Sequence, residues 1–320
     1  MIRFTKFPAD FTPLHEGLLF EVECDEPSDV EVCIYEAQTE TLVGRKMLYG
    51  VSVATIDIAP YVARIDDVVP LALDCSAIVP ASVGEYRVEA NGISSGVICV
   101  SNNLTLPLAQ GVITTAPTER HIAYGECDEV RIISRLYVPI FVSLTTDEGF
   151  TMTLDFTSSP GYATLFFATS DLPATTRRAE MCIFCDEIEV QRITYHFAPH
   201  YGTGFRLAWL SEVGSVERYT FPTICRTTRS AERTECRTAE GETFGIRSLR
   251  DTCLRLSSAI EPRATIVSLA GIVASPRTWR VEAGEPTRVE VLSTEAVSHT
   301  FGRPDRVVVD VRTAREEVAI

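Results

Sequence analysis

Apolar residues recur at every second position over short runs in this chain, and the runs are broken by Gly, Pro, Asn and Asp. That period builds strands and excludes a helical bundle. Leu18, Phe20, Val22 and Cys24 alternate with Leu19, Glu21 and Glu23, and Val30, Val32 and Ile34 with Glu31, Cys33 and Tyr35. Ala54, Ile56 and Ile58 continue the pattern. Tyr86, Val88 and Ala90 carry it to Asn91-Gly92, two residues that tolerate the positive φ of a tight hairpin and lead back into Val97–Val100. Short strands at this spacing predict an immunoglobulin-like sandwich. One stretch has helical period: Pro262 to Ala274, with Pro262 suited to a first turn and Ile266, Leu269, Ala270 and Val273 on one face.

At 320 residues there is room for two or three cores. The polar stretch from Ser101 to Thr118, with Pro107 and Pro117, and the segment His196–Gly204 read as linkers. The expected organisation is mainly β: β-sandwich (immunoglobulin-like) domains at 1–104 and 105–199, and a C-terminal β domain with one short helix at 200–320. Within the first, Ala59 to Ser82 carries Pro60, Pro70 and Pro80 and is expected to cross between sheets as a loop or short helix.

The third unit opens on an aromatic hairpin. Phe205, Leu207 and Trp209 alternate with Arg206 and Ala208, Ser211-Glu212-Val213-Gly214 supplies a turn, and Glu217, Tyr219 and Phe221 share a face of the return strand. Gly214 is free to take positive φ there. This stretch resembles a recurring segment of tail-associated structural proteins of tailed phages and prophages, matched at Phe205, Trp209-Leu210, Gly214, Glu217 and Tyr219-Thr220-Phe221. Ser211 stands where that family has Asn. Ser275-Pro276-Arg277-Thr278-Trp279, leading into Val289–Val291, is similar to a step that such proteins carry after a short apolar helix. The resemblance covers the last third of the chain. It implies a non-enzymatic structural component of a tail, near its tip or baseplate, that self-associates and docks onto other virion proteins. The polar stretch Arg226–Arg237 is then a protruding arm, with Arg226, Arg229, Arg233 and Arg237 as candidate subunit contacts. The alternative is an adhesin or carbohydrate-binding β-sandwich protein, including a receptor-binding tail component.

Charge limits the partners. The net charge is −15, and it is uneven: −10 over residues 1–100, −6 over 101–200 and +1 over 201–320. Phosphate binding needs concentrated positive charge, so nucleic acid is not an expected partner. An acidic front and an Arg-rich rear favour head-to-tail contact, and a homo-oligomer is expected; the competing explanation is an acidic face that keeps the protein soluble. No run approaches the roughly 18 apolar residues of a membrane span, and the N-terminus has no signal-peptide core. The expected location is a virion tail, after synthesis in the host cytoplasm. In that reducing setting the ten cysteines are expected as buried small hydrophobes.

No motif here predicts chemistry. Gly92-Ile93-Ser94-Ser95-Gly96 spells a nucleophile elbow, but it opens a hairpin strand where an elbow needs a strand running into a helix. Cys182-Ile183-Phe184-Cys185 is a lone pair without a second pair of zinc ligands, and on a strand its two thiols face opposite sides. His196 and His200 are four apart with Pro199 between them, which opposes a shared helix face. Asp186-Glu187-Ile188-Glu189 lacks the glycine and alternating ligands of a calcium loop. No cofactor, metal site or catalytic residue is expected.

Overall fold

A computed structural model describes residues 1–10, 12, 14–62, 68–81, 84–100, 110–134, 138–157, 161–198, 204–237, 241, 243–282, 285–296 and 305–319. The chain is mainly β, as the alternation requires. The expected boundaries at 104/105 and 199/200 fall outside the described residues.

The N-terminal strands are β1 (Ile2–Lys6), β2 (Leu19–Glu36) and β3 (Thr41–Asp57), followed by a short helix α1 (Ala59–Val62). After β4 (Ala77–Ala81) come β5 (Gly84–Ala90), β6 (Ile93–Ser94) and β7 (Ile98–Val100). Six of these strands, all but β4, form one hydrogen-bonded sheet around β2 and β5. β2 is irregular between Glu23 and Val30, so its first half pairs with β1 and the end of β3, its second half with the start of β3 and with β5. The alternating residues Phe20, Val22, Val30, Val32, Ile34, Tyr86 and Val88 meet in one core with Val62 of α1. Gly44 is needed there, because a Cβ would collide with the Tyr61 ring.

The second unit contains β8 (Gln110–Ile113), β9 (Glu119–Ala123), β10 (Cys127–Ser134), β11 (Pro139–Thr146), β12 (Thr151–Thr157), β13 (Gly161–Ala168), β14 (Arg178–Cys185) and β15 (Ile188–Ala198). Two sheets, in the orders β4-β13-β10-β8 and β12-β11-β14-β15-β9, share one core. Val130, Ile132, Leu165 and Phe167 come from the first sheet, and Val142, Leu144, Met181, Ile183 and Ile193 from the second. All pairs are antiparallel except β9 with β15. This is the strand order of an immunoglobulin sandwich, with one substitution. The strand beside β13 should come from between β12 and β13, where only residues 158–160 intervene. β4 fills that place from well upstream, pairing Ala77–Ala81 with Phe166–Tyr162. The Ala59–Ser82 crossover therefore does contain a short helix, but it then leaves the first sheet and completes the second unit. An uncovered β13 edge is the physical reason for the exchange.

The third unit is a seven-stranded sheet with a helix. Its elements are β16 (Phe205–Leu210), β17 (Val216–Phe221), β18 (Thr223–Arg237), β19 (Thr243–Ser257), α2 (Arg263–Ala274), β20 (Thr278–Glu282), β21 (Glu285–Val291) and β22 (Val308–Ala319). The order is β17-β16-β20-β21-β22-β19-β18. Phe205, Leu207 and Trp209 from one end and Leu256, Val309 and Val311 from the other share a core with Ile266, Leu269 and Ile272 of α2. Each such side chain contributes roughly 1.5–3 kcal/mol on burial. The buried face of α2 differs slightly from the expected one: Ile272 is buried, whereas Ala270 and Val273 are half-buried.

Candidate functional site: an ionic joint and a projecting arm

The hairpin β16–β17 is buried on both faces. Phe205, Leu207, Trp209, Tyr219 and Phe221 pack toward α2, and Ala208, Leu210 and Val216 pack with Trp279, Val281 and Val68 on the reverse. The registers Phe205↔Phe221, Leu207↔Tyr219 and Trp209↔Glu217 put the aromatic residues on one face. The Tyr219 and Phe221 rings meet edge to face at 5.1 Å. Gly214 closes the turn at φ 82°. Trp209 is 1% exposed, and its Nε1 has no hydrogen-bond partner.

Strand alternation also forces charge into this buried hairpin. Arg206 and Arg218 fall on the reverse face, and there the second unit supplies their counter-ions. Arg206 Nη1 lies 2.8 Å from Glu126 Oε2, and Thr220 Oγ1 donates to Glu126 Oε1 at 2.5 Å. Arg218 pairs with Glu129 and donates to the Leu71 carbonyl at 2.6 Å, while Leu71 N donates to Glu129 Oε1 at 2.8 Å. Arg131 Nη1 donates to the Gly214 carbonyl at 2.5 Å. The segment before β4 is thus held at the same joint.

A second chain of bonds runs beside the first. Arg120 Nη1 sits 2.7 Å from Asp128 Oδ2, which also accepts from Tyr195 Oη at 3.0 Å. Arg120 Nη2 reaches Thr114 Oγ1 at 3.0 Å. Thr114 Oγ1 and Thr115 N then donate to Glu217 Oε1, at 2.9 and 2.8 Å, and Ser215 Oγ donates to it at 2.6 Å. Burial works against ionisation of Asp128, but the Arg120 guanidinium overrides it and holds the carboxyl below its usual range. Burial likewise opposes charge on Arg120, and the Asp128 carboxylate raises its pKa regardless. Burial, aided by the Asp128 charge, pushes the Tyr195 phenol well up.

On the near side, His121, Glu126, Tyr219 and Glu261 line a cavity of about 160 Å3. Tyr219 Oη donates to Glu261 Oε1 at 2.8 Å, and His121 Nδ1 lies 3.6 Å from Glu261 Oε2. That bond to Glu261 raises the His121 pKa. The β9–β15 register places His196 opposite His121, with ring centroids 5.4 Å apart.

The stretch expected as a polar arm is β18, an edge strand. It pairs with β19 from Thr223↔Ser257 to Arg237↔Thr243, and β22 flanks β19. Arg226, Arg229, Arg233 and Arg237 are all exposed. Arg237 Nε donates to the Gly241 carbonyl at 3.3 Å, and Arg226 lies near Asp310, which pairs with Arg255. Arg229 and Arg250 line a groove of about 440 Å3 with Ala231 and Ala314.

The remaining motifs are dispersed. Ser95 Oγ accepts from Val88 N and donates to the Gly96 carbonyl, within a hairpin. Cys182 and Cys185 face opposite sides of β14, half-buried and buried. Of the nine cysteines whose side chains are described, Cys24 and Cys185 are buried, five are half-buried and Cys75 and Cys225 are exposed, so the expectation of buried thiols holds for only part of them. His200 lies outside the described residues. Glu189 is held by Arg192 at 2.8 Å, and Asp186 and Glu187 form a turn at positive φ. Among the described residues, no three His, Cys, Asp or Glu side chains converge on a metal geometry. No described helix is long and apolar enough to cross a membrane.

Of the joint residues, Glu217 entered the sequence reading through the resemblance, whereas Arg120, Glu126, Asp128, Glu129, Arg218 and Glu261 were not singled out as a site. A partial signal was present at Arg120, Asp128 and Arg218, each two strand positions from an apolar residue (Ile122, Val130 and Val216); Glu126 and Glu261 lie outside the strands and had none.

No family model matches the chain, and no curated protein matches it. Among solved structures it is similar to Dpr2 Ig1-Ig2 in complex with DIP-Theta Ig1-Ig3, at 10% identity and TM-score 0.19, covering 62% of this chain and 99% of that one. DIP-gamma IG1+IG2 gives 8% and 0.21, covering 62% and 97%. The three-Ig structure of titin domains I67–I69 gives 9% and 0.22, covering 78% and 93%. Overlaps this low carry no argument, and the immunoglobulin order stands on the strand pairings alone.

Proposed function

We propose that this chain is a non-enzymatic structural component of a phage or prophage tail, in its tip or baseplate region, working through self-association and docking onto neighbouring tail proteins. The resemblance around Trp209 and Tyr219-Thr220-Phe221 supplies the tail assignment. The observation that carries the assembly role is the arm. β18 extends ten residues beyond Thr227, the partner of the core-facing Leu254, which is about 34 Å of strand at 3.4 Å per residue. Long exposed edges invite pairing or docking, and the charges along this one select what can dock there. The ionic joint supports the same reading, because a firmly seated hairpin gives the arm a stiff base.

Mass spectrometry on density-purified particles from the source organism tests this. Recovery of the chain in fixed ratio to capsid and tail proteins supports the proposal. Absence from particles, with the chain found at the cell surface, rejects it in favour of an adhesin.

A further inference from the structure

Strand register gathers three arginines on one face of the arm. Arg229 pairs with Thr252, Ala231 with Arg250 and Arg233 with Ser248, so Arg229 and Arg233 flank the cross-strand position of Arg250. All three are exposed, and among the described residues none has an ion-pair partner. Ala231 and Ala314 leave the groove between them open. Asp251 at its rim is already engaged, 3.5 Å from Arg312. Glu316 of β22 is the cross-strand neighbour of Arg250, whereas Arg229 and Arg233 lie opposite Thr252 and Ser248, so the concave face carries positive charge that calls for a convex, acidic partner.

Such a partner is present in every copy of the chain. Residues 1–100 carry 16 acidic against 6 basic residues, and the irregular middle of β2 exposes Asp25, Glu26 and Asp29. Asp25 and Asp29 are four strand positions apart, as Arg229 and Arg233 are, a span of at most about 13 Å in each. We infer that the Arg229–Arg250–Arg233 face docks the Asp25–Asp29 bend of a second copy of this chain, head to tail. This rests on the self-association proposed above and names the surfaces that carry it. A second copy brings its own acidic bend at matched stoichiometry, and a free acidic polymer, which would satisfy the same arginines, is an outcome of the test below.

The test is charge reversal in the full chain, read by sedimentation velocity at about 50 mM and about 500 mM salt, where screening of exposed charges differs widely. The unaltered chain should self-associate at low salt and dissociate at high salt. Arg229→Glu/Arg233→Glu/Arg250→Glu should weaken association about tenfold or more, as should Asp25→Lys/Glu26→Lys/Asp29→Lys. All six side chains are exposed, but Asp29 Oδ1 accepts from Gly50 N at 2.8 Å and Asp25 lies 3.1 Å from the Met1 ammonium; thermal melts of both variants therefore check folding, and Glu26→Lys alone, which touches neither contact, should weaken association in the same direction. Mixing the two variants should restore association, because an acidic arm then meets a basic bend. If the arm variant associates as the unaltered chain does, this inference is overturned while self-association stands. If the unaltered chain remains monomeric, or its arm binds a DNA oligonucleotide in preference to a second copy, docking between copies is overturned, and the particle experiment judges the tail proposal separately.

Discussion

Arg120 and Asp128 meet 2.7 Å apart with side chains only 9% and 5% exposed, a charge pair buried where the second sandwich meets the aromatic hairpin. Each buried ion loses several kcal/mol of solvation, which only its partner and hydrogen bonds offset. Asp128→Asn leaves Arg120 charged and short of its counter-ion, and should cost about 3–5 kcal/mol in chemical denaturation. Asp128→Leu with Arg120→Met removes both charges and should cost less than the single change. The pH dependence has a definite sign. Asp128 ionises more readily folded than unfolded, so its contribution is present above the unfolded pKa of about 4 and is lost as pH falls through the lower folded value. Melting scans from pH 6 to 3 should fall more steeply for the unaltered chain than for Asp128→Asn.

Trp209 separates packing from hydrogen bonding. It is 1% exposed beside α2, and its Nε1 is unpaired. Trp209→Ala should cost about 3–5 kcal/mol through the cavity it leaves. Trp209→Phe forfeits no hydrogen bond and keeps an aromatic ring, so about 1–2 kcal/mol is expected. Equal losses in urea unfolding would mean that the indole nitrogen has a partner after all.

His121 should make the joint pH-sensitive in the opposite sense to Asp128. Glu261 raises its pKa, so its contribution is complete below the unfolded value of about 6.5 and is lost as pH rises through the folded one. His121 is half exposed, so the effect should stay below about 1 kcal/mol. His196 and Glu119 also face it, and Glu126 and Tyr219 line the same cavity. The melting temperature should decline slightly between pH 6 and 8, and His121→Gln should flatten that slope.

How much of this was legible depends on which faces of a strand are buried. β2, β5 and β14 have one face in a core, and their alternation announced them. β18 has water on both faces, so its sequence, Thr-Ile-Cys-Arg-Thr-Thr-Arg, carries no alternation and reads as a polar arm without its strand character. The aromatic hairpin was legible because Phe205, Trp209, Tyr219 and Phe221 repeat at even spacing. The partners of its charges were not: Glu129 and Thr114, which meet Arg218 and Glu217, are distant in sequence and only the fold brings them there. Non-local pairing also hid β4, whose five residues give no sign of which sheet they join.

β4 yields the last prediction, which concerns where the second unit begins. A chain starting at residue 105, the boundary that composition favours, lacks the strand that pairs with β13 and the Ser76 hydroxyl, which accepts from Ala168 N at 2.9 Å. It also lacks Leu71, whose backbone meets both Glu129 and Arg218. The exposed β13 edge and the under-satisfied joint should leave that fragment aggregation-prone and melting well below one starting at residue 68, which keeps these contacts. Val79→Asp in the full chain should be mild, since that side chain is only half-buried, whereas Val79→Pro should disturb the ladder through the lost N–H. Comparable melting of the two fragments would mean that β4 is dispensable and that the second sandwich is complete from residue 105 onward.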